Sequence, residues 1–186
     1  MADALWIDED YLMANSVIAE NSDMKVITPN ILYVQDAYIK PLLGTTLFNV
    51  VQAEINAQVY SSRIQTLLND YLYKVIMNYV LSESASDFAY RWTNKGLMQK
   101  NSENSQPIQP EQLKTVQEKY KNRAEVFAER TTNYLLQYAT TYPEYLTGNT
   151  TIDSVQPNVT NFKTGISMGD NDSDRNEKCW YRKRNA

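Results

Sequence analysis

Residues 61–80 read SSRIQTLLNDYLYKVIMNYV, and their apolar positions decide the fold. Ile64, Leu67, Leu68, Tyr71, Leu72, Val75, Ile76, Tyr79 and Val80 follow one another in alternating steps of three and one. That spacing gathers them on one side of a helix and leaves the polar residues on the other. Ser61 and Ser62 give the helix its start, and the pattern runs on through Ala85 and Phe88 to about Tyr90.

Downstream, Pro110 and Glu111 open a second long amphipathic helix. Its expected buried stripe is Leu113, Val116, Tyr120, Ala124, Phe127, Thr131, Tyr134, Leu135 and Tyr138, and Pro143 ends it soon after Thr141. Between the two helices, residues 93–110 (TNKGLMQKNSENSQPIQP) are poor in core residues and longer than an ordinary helix connection, which predicts a long polar loop. Upstream, residues 1–27 read as short elements and loops. Thr28 and Pro29 then predict an N-cap and first helical residue, with Ile31, Val34, Ala37 and Tyr38 on one face. That helix is expected to stop near Lys40, because Pro41 disfavours helix in the residue before it. Gly44 with Thr45 or Thr46 resets the chain for Leu47, Val50, Val51 and Ile55. From Gly148 the composition turns to Thr, Asn, Asp, Ser and Gly and helical periodicity is lost. The expected fold is therefore mainly α: a small bundle on two long amphipathic helices (1–147) with a long loop and an extended C-terminal tail (148–186).

A chain of 186 residues has room for one domain with a real core. The formal net charge of −4 argues against a general polyanion-binding surface. The start of the sequence carries Asp3, Asp8, Glu9 and Asp10 and lacks the basic and apolar regions of a signal peptide, and no run of about 18 apolar residues suggests a membrane span. The single cysteine, Cys179, excludes an internal disulfide and suits a reducing cytoplasm. Fourteen tyrosines against four phenylalanines fit half-buried contacts, either at extended interfaces or on the margin of a thin core.

The chain has no histidine, which removes the commonest general base, nucleophile activator and metal ligand together. No catalytic, cofactor or metal residues are assigned, and an enzyme is not expected. Asp8, Glu9 and Asp10 read more simply as a solvated helix start. Asp170, Asp172 and Asp174 match three places of a calcium loop, but Arg175 stands where glycine is needed and Tyr181 where a bidentate glutamate is needed, so a solvated turn is the better reading. With no signal peptide, the Asn-x-Ser/Thr triplets of the tail are chance matches. Candidate binding residues remain in two places. The loop offers Lys95, Met98 and Lys100. In the tail, Ile152, Val155, Val159, Phe162 and Ile166 are spaced as anchors along a neighbour, and Trp180, Tyr181, Arg182 and Arg184 form a basic, aromatic cluster beside Lys178 and Lys183. Such a tail cannot offset its ordering entropy alone and is expected to need another surface, unless it stays unattached. The basic cluster can dock in an acidic protein groove or contact nucleic acid.

The order of elements, the phrase TPNILYVQDAYIKPLLGTTLF at 28–48 and the TNKG and KNSENS segments resemble the head–tail connector, or adaptor, proteins of tailed phages of Bacteroidetes, over about the first 145 residues. The resemblance implies a structural virion subunit without catalytic residues or cofactor. Its partners would be further copies of itself in a ring, expected to be a dodecamer, then the portal protein and other connector or tail proteins. DNA would pass through the channel without sequence-specific binding, and no membrane is involved. Such a protein is made in the host bacterial cytoplasm and resides at the head–tail interface of the virion. The segments 93–110 and 149–186 would order on assembly. A helical protein-binding module and a DNA-binding protein acting through its basic end are the alternatives.

Overall fold

A computed structural model describes residues 4–19, 22–94, 96–99, 108–146 and 155–157. The elements in order are α1 (Glu9–Asn15), α2 (Met24–Val34), a first π-helical turn (Gln35–Ile39), α3 (Lys40–Ala57), α4 (Ser62–Thr66), a second π-helical turn (Leu67–Leu72), α5 (Tyr73–Ala89), the strands β1 (Tyr90–Thr93) and β2 (Gly96–Gln99), α6 (Pro110–Gln137) and α7 (Pro143–Leu146). The chain is mainly α-helical, with α4, the second π turn and α5 forming one of the two expected long helices and α6 the other.

The π turns follow from the spacing of the core residues. Ile27, Ile31, Gln35, Ile39, Leu43, Leu47, Val51 and Ile55 are all buried, one every fourth residue. In a straight α-helix a step of four overshoots a full turn by about 40°, so such a series would wind away from the core. A wider turn takes up the excess. The first π turn also admits Pro41, whose ring would otherwise meet the carbonyl four residues back. The Lys40 N–H reaches back to the Gln35 carbonyl, and the helix runs past the proline. The helix thus runs past the stop expected near Lys40 and breaks at Gly44 (φ 73°, ψ 155°), where two helical segments join across a kink and the restart expected at Gly44 is met. In the second long helix, Ile64, Leu68, Leu72, Ile76 and Val80 repeat the four-residue step, and the π turn at Leu67–Leu72 keeps them inward.

The start expected at Thr28 also moves. Asp23 caps α2, its Oδ1 accepting the Lys25 N–H at 3.0 Å, and Pro29 lies inside the helix. There the Thr28 hydroxyl donates to the Met24 carbonyl at 2.9 Å.

Helix α5 is the centre of the bundle. Its residues Asn78, Tyr79, Val80, Leu81 and Ser82 are buried in succession, because α2 packs on one side and α6 on the other. The buried Asn78, Ser82 and Ser84 of α5 are paired: Asn78 Nδ2 donates to the Lys74 carbonyl (2.7 Å), the Ser82 hydroxyl to the Gln117 carbonyl of α6 (2.9 Å), and Asn30 Nδ2 of α2 to Ser84 Oγ (3.1 Å). Helix α6 runs antiparallel to α5, since Ser82 meets Gln117 while Tyr71 stacks on Tyr134 at 4.1 Å. It is thinly covered, burying Leu113, Ala124, Thr131, Thr132 and Leu135 along its length. Val116 and Tyr138, expected in its stripe, are exposed. Val116 borders a groove, and Tyr138 only edges onto Tyr134 where α6 ends at Gln137, short of the expected Thr141.

The N-terminal segment belongs to the core. Trp6 stacks on Phe48 of α3 (4.7 Å) and is held by the buried Gln35, whose Oε1 accepts the Trp6 N–H at 3.0 Å while its Nε2 donates to the Ala4 carbonyl at 3.1 Å.

Candidate functional site

Sequence expected the binding residues in a loop and a tail, and the structure places a described residue of each. The first part of the expected loop is a β-hairpin. Residues 90–93 pair antiparallel with 96–99 in the register Tyr90↔Gln99, Arg91↔Met98, Trp92↔Leu97, Thr93↔Gly96. Gly96, at φ +113°, supplies the backbone that the tight connection needs. Leu97 and Met98 stand more than half exposed, at 54% and 52%. The hairpin springs directly from the C-terminal end of α5, the most enclosed helix, so this apolar pair is carried on a firm base. Lys95 and Lys100 lie outside the described residues.

The second place is Val155. Its carbonyl accepts the Thr45 N–H at 2.9 Å, and its own N–H donates to Thr45 Oγ1 at 2.8 Å. The surface that Val155 meets is the chain's own α3. The Gly44 kink makes the contact possible. It turns the Thr45 N–H out of the helical ladder, and Pro157 lies so close that a Cβ on residue 44 would sit 2.7 Å from its Cδ. Ile152, Val159, Phe162, Ile166, Trp180, Tyr181, Arg182 and Arg184 lie outside the described residues, as do the acidic turn at 170–174 and Cys179.

Two grooves flank the packing of α5 on α6. One, of about 240 Å³, is lined mainly by apolar groups: Val17 and Ile18 before α2, Leu81, Ala85 and Phe88 of α5, and Val116 of α6. The other, of about 370 Å³, lies between Met77 and Asn78 of α5 and Arg123, Val126 and Phe127 of α6. Neither was foreseen. The exposed Val17 and Val126 were the available signal, but a lone exposed valine is common on any surface.

The titratable groups act as structural ties. Asp8 caps α1 through the Tyr11 N–H (2.8 Å), with Glu9 and Asp10 exposed in its first turn. At the base of the bundle Arg63 forms a two-pronged ion pair with Glu144 of α7, at 2.8 and 2.7 Å, and donates to the Thr141 carbonyl at 2.9 Å. The hydrogen bond to Arg63 is the main reason the Glu144 carboxyl falls below its ordinary range. Nearby, the Tyr142 hydroxyl donates to the Arg63 carbonyl at 2.8 Å and lies 3.2 Å from that of Tyr134. Across the bundle Tyr38 stacks on Tyr79 at 4.1 Å and donates to Glu83 Oε1 at 2.7 Å. Burial, then the bond to Glu83, raises the Tyr38 phenol well above its ordinary value. Burial, with Glu125 adding to it, pushes Tyr79 up to about 12. Phenols shifted this way keep their protons at neutral pH and serve as hydrogen-bond donors. Among the described residues no group of three acidic or cysteine side chains is placed to hold a metal ion, and no helix is long and apolar enough to cross a membrane.

One family model matches residues 39–154, a span from the end of the first π turn through the hairpin and α7. The chain belongs to DUF6712, a family of unknown function. No curated protein and no solved structure matches it. The DUF6712 span contains the Gly44 kink, the exposed hairpin and most of both grooves, and it stops one residue before Val155.

Proposed function

We propose that this DUF6712 protein is a structural subunit of the connector between the head and tail of a tailed bacteriophage. Copies join in a ring, expected to be a dodecamer, that docks on the portal protein and on further connector or tail proteins. The observation that carries the reading is the hairpin. A firmly based β-hairpin exposing Leu97 and Met98 is the kind of projection that contributes affinity only when a partner covers it. The family likeness in residues 28–48 and 93–108 supplies the class of partner. Subunits in a closed ring meet through two different faces, and α6, with Val126 and Leu136 exposed, offers a surface for the second. The net acidic chain suits a DNA conduit, since a lining of like charge discourages sticking.

The test is co-expression with the portal protein, followed by imaging of the purified complex. Wild type is expected to co-purify as a ring of definite rotational symmetry. The L97D/M98D variant is expected to keep its helical circular dichroism and lose incorporation. A wild-type chain that ignores the portal, or a variant that incorporates normally, overturns the reading. The apolar groove beside Leu81 and Phe88 favours a second reading, a helical module that binds an apolar partner segment. That reading predicts a small complex of fixed stoichiometry in place of a ring.

A further inference from the structure

The contact at Gly44 has the character of a binding site. Residues 155–157 (Val-Gln-Pro) lie on the kink through two hydrogen bonds to one threonine and one close approach of a proline to a glycine. Each element has a specific chemical requirement. Thr45 presents a backbone donor freed by the kink and a hydroxyl acceptor, which together read the N–H and C=O of a single extended residue. Gly44 leaves the room into which the pyrrolidine of the second residue onward fits. The ligand is thus an extended segment with proline two places after the residue paired to Thr45.

Nothing in this recognition requires the segment to come from the same chain. Residues 147–154 separate it from the last residue of α7, a tether of nine peptide steps that reaches at most about 30 Å. The described contact is three residues long and Val155 remains 39% exposed, which puts it among contacts that open locally at small cost. For an isolated chain, a short tether gives its own segment an effective concentration on the order of millimolar, and the site fills in cis. Beside a second copy at comparable local concentration, the identical segment of the neighbour competes on equal terms.

We propose that the Gly44 kink is a docking site for an extended Val-Gln-Pro segment, filled by the chain's own residues 155–157 when the protein is alone and by those of a neighbouring copy when two are packed together. Exchange ties adjacent subunits without new contacts, because each kink stays filled and each segment stays seated.

The proposal needs only a second copy, so its test is independent of any portal. In full-length chains carrying C179S, cysteines are placed at Asn49, exposed one helical turn beyond Thr45, and at Val155, whose main-chain bonds the substitution preserves. A short bismaleimide then bridges whichever pairs are adjacent. The double variant N49C/V155C, kept dilute, is expected to link within one chain. Single variants N49C and V155C, mixed and refolded together at high concentration, are expected to give a covalent dimer, and adding G44A to the N49C chain should abolish it. If the dilute double variant links internally but the mixed singles give no dimer, exchange is refuted. If the double variant fails to link at all, the docking itself is refuted. A dimer that persists with G44A shows contact elsewhere and likewise overturns the proposal.

Discussion

Replacing Gly44 with alanine tests the kink most directly. The backbone there has φ 73° and ψ 155°, a region that is essentially glycine-only and costs another residue about 1–3 kcal/mol. The new Cβ would meet Pro157 Cδ at 2.7 Å, Pro157 N at 3.2 Å and the Val155 carbonyl at 3.3 Å. The first distance is shorter than two carbons tolerate, and the proline ring is too stiff to yield, so residues 155–157 must lift away. Their two hydrogen bonds to Thr45 contribute about 0.5–1.5 kcal/mol each. Together the terms give a destabilisation of about 2–6 kcal/mol. With a urea slope of about 2 kcal/mol/M, the midpoint should fall by roughly 1–3 M. A companion substitution separates the two causes. Pro157→Ala removes Cδ while keeping the main chain, so Gly44→Ala should cost about 1 kcal/mol less in that background. If Gly44→Ala unfolds within about 0.5 kcal/mol of wild type, in the range of a neutral surface change, both the strain and the docking arguments fail.

Other perturbations follow from the same geometry. Glu144→Gln breaks the paired contact with Arg63, whose partners are each less than a third exposed, and should cost about 1–2 kcal/mol at pH 7 by chemical denaturation. Because the Glu144 carboxyl is lowered in the folded chain, its contribution is whole above the ordinary value of 4.5 and fades as pH falls through the lowered one, so the two stability curves should converge in acid. An unchanged gap down to full protonation would contradict this. Gln58 closes α3 in the left-handed region at φ 53°, so Gln58→Gly should stabilise by about 0.5–1 kcal/mol, read as a higher thermal midpoint. Trp6→Ala should cost about 3–5 kcal/mol, since Trp6 is 3% exposed and stacked on Phe48; a loss under 1 kcal/mol would show that the N-terminal segment is not part of the core.

The long helices were legible because their evidence is local and repeated: nine apolar positions from Ile64 to Val80 agree on one face, and all but the half-buried Tyr71 are buried. The readings that failed rested on a single residue or on composition alone. Pro29 suggested a helix start, but Asp23 six residues earlier had a capping side chain and an uninterrupted helix ahead of it. The polar run after Thr93 suggested a loop, and it hid a hairpin whose signal was Gly96 just beyond Asn94, flanked by the β-forming Tyr90 and Trp92. The docking of Val155 on Thr45 spans 110 positions and has no local signal on either side. Composition alone marked the tail as needing a surface, and only the fold could say that α3 provides it at Val155.

The kink lies between these cases, and it shows what a sequence can disclose when register is followed over distance. Pro41 and Gly44 each mark a break, and taken separately they cut the first helix in two. The apolar series does not stop there. Ile27, Ile31, Ile39, Leu43, Leu47, Val51 and Ile55 keep one spacing of four across both residues, with Gln35 filling the remaining place. A stripe with that spacing cannot stay on one side of a straight α-helix, yet its members are too regular to belong to two unrelated helices. The consistent solution is one stripe carried across two joined segments: a π turn takes the helix past Pro41, and the non-helical backbone of Gly44 kinks the chain where the second break was read. The kink at Gly44 has a structural consequence, because a backbone that leaves the helical ladder must satisfy the N–H it releases. Thr45 does so with the Val155 carbonyl. The docking site thus arises from the same requirement that keeps the core stripe in line.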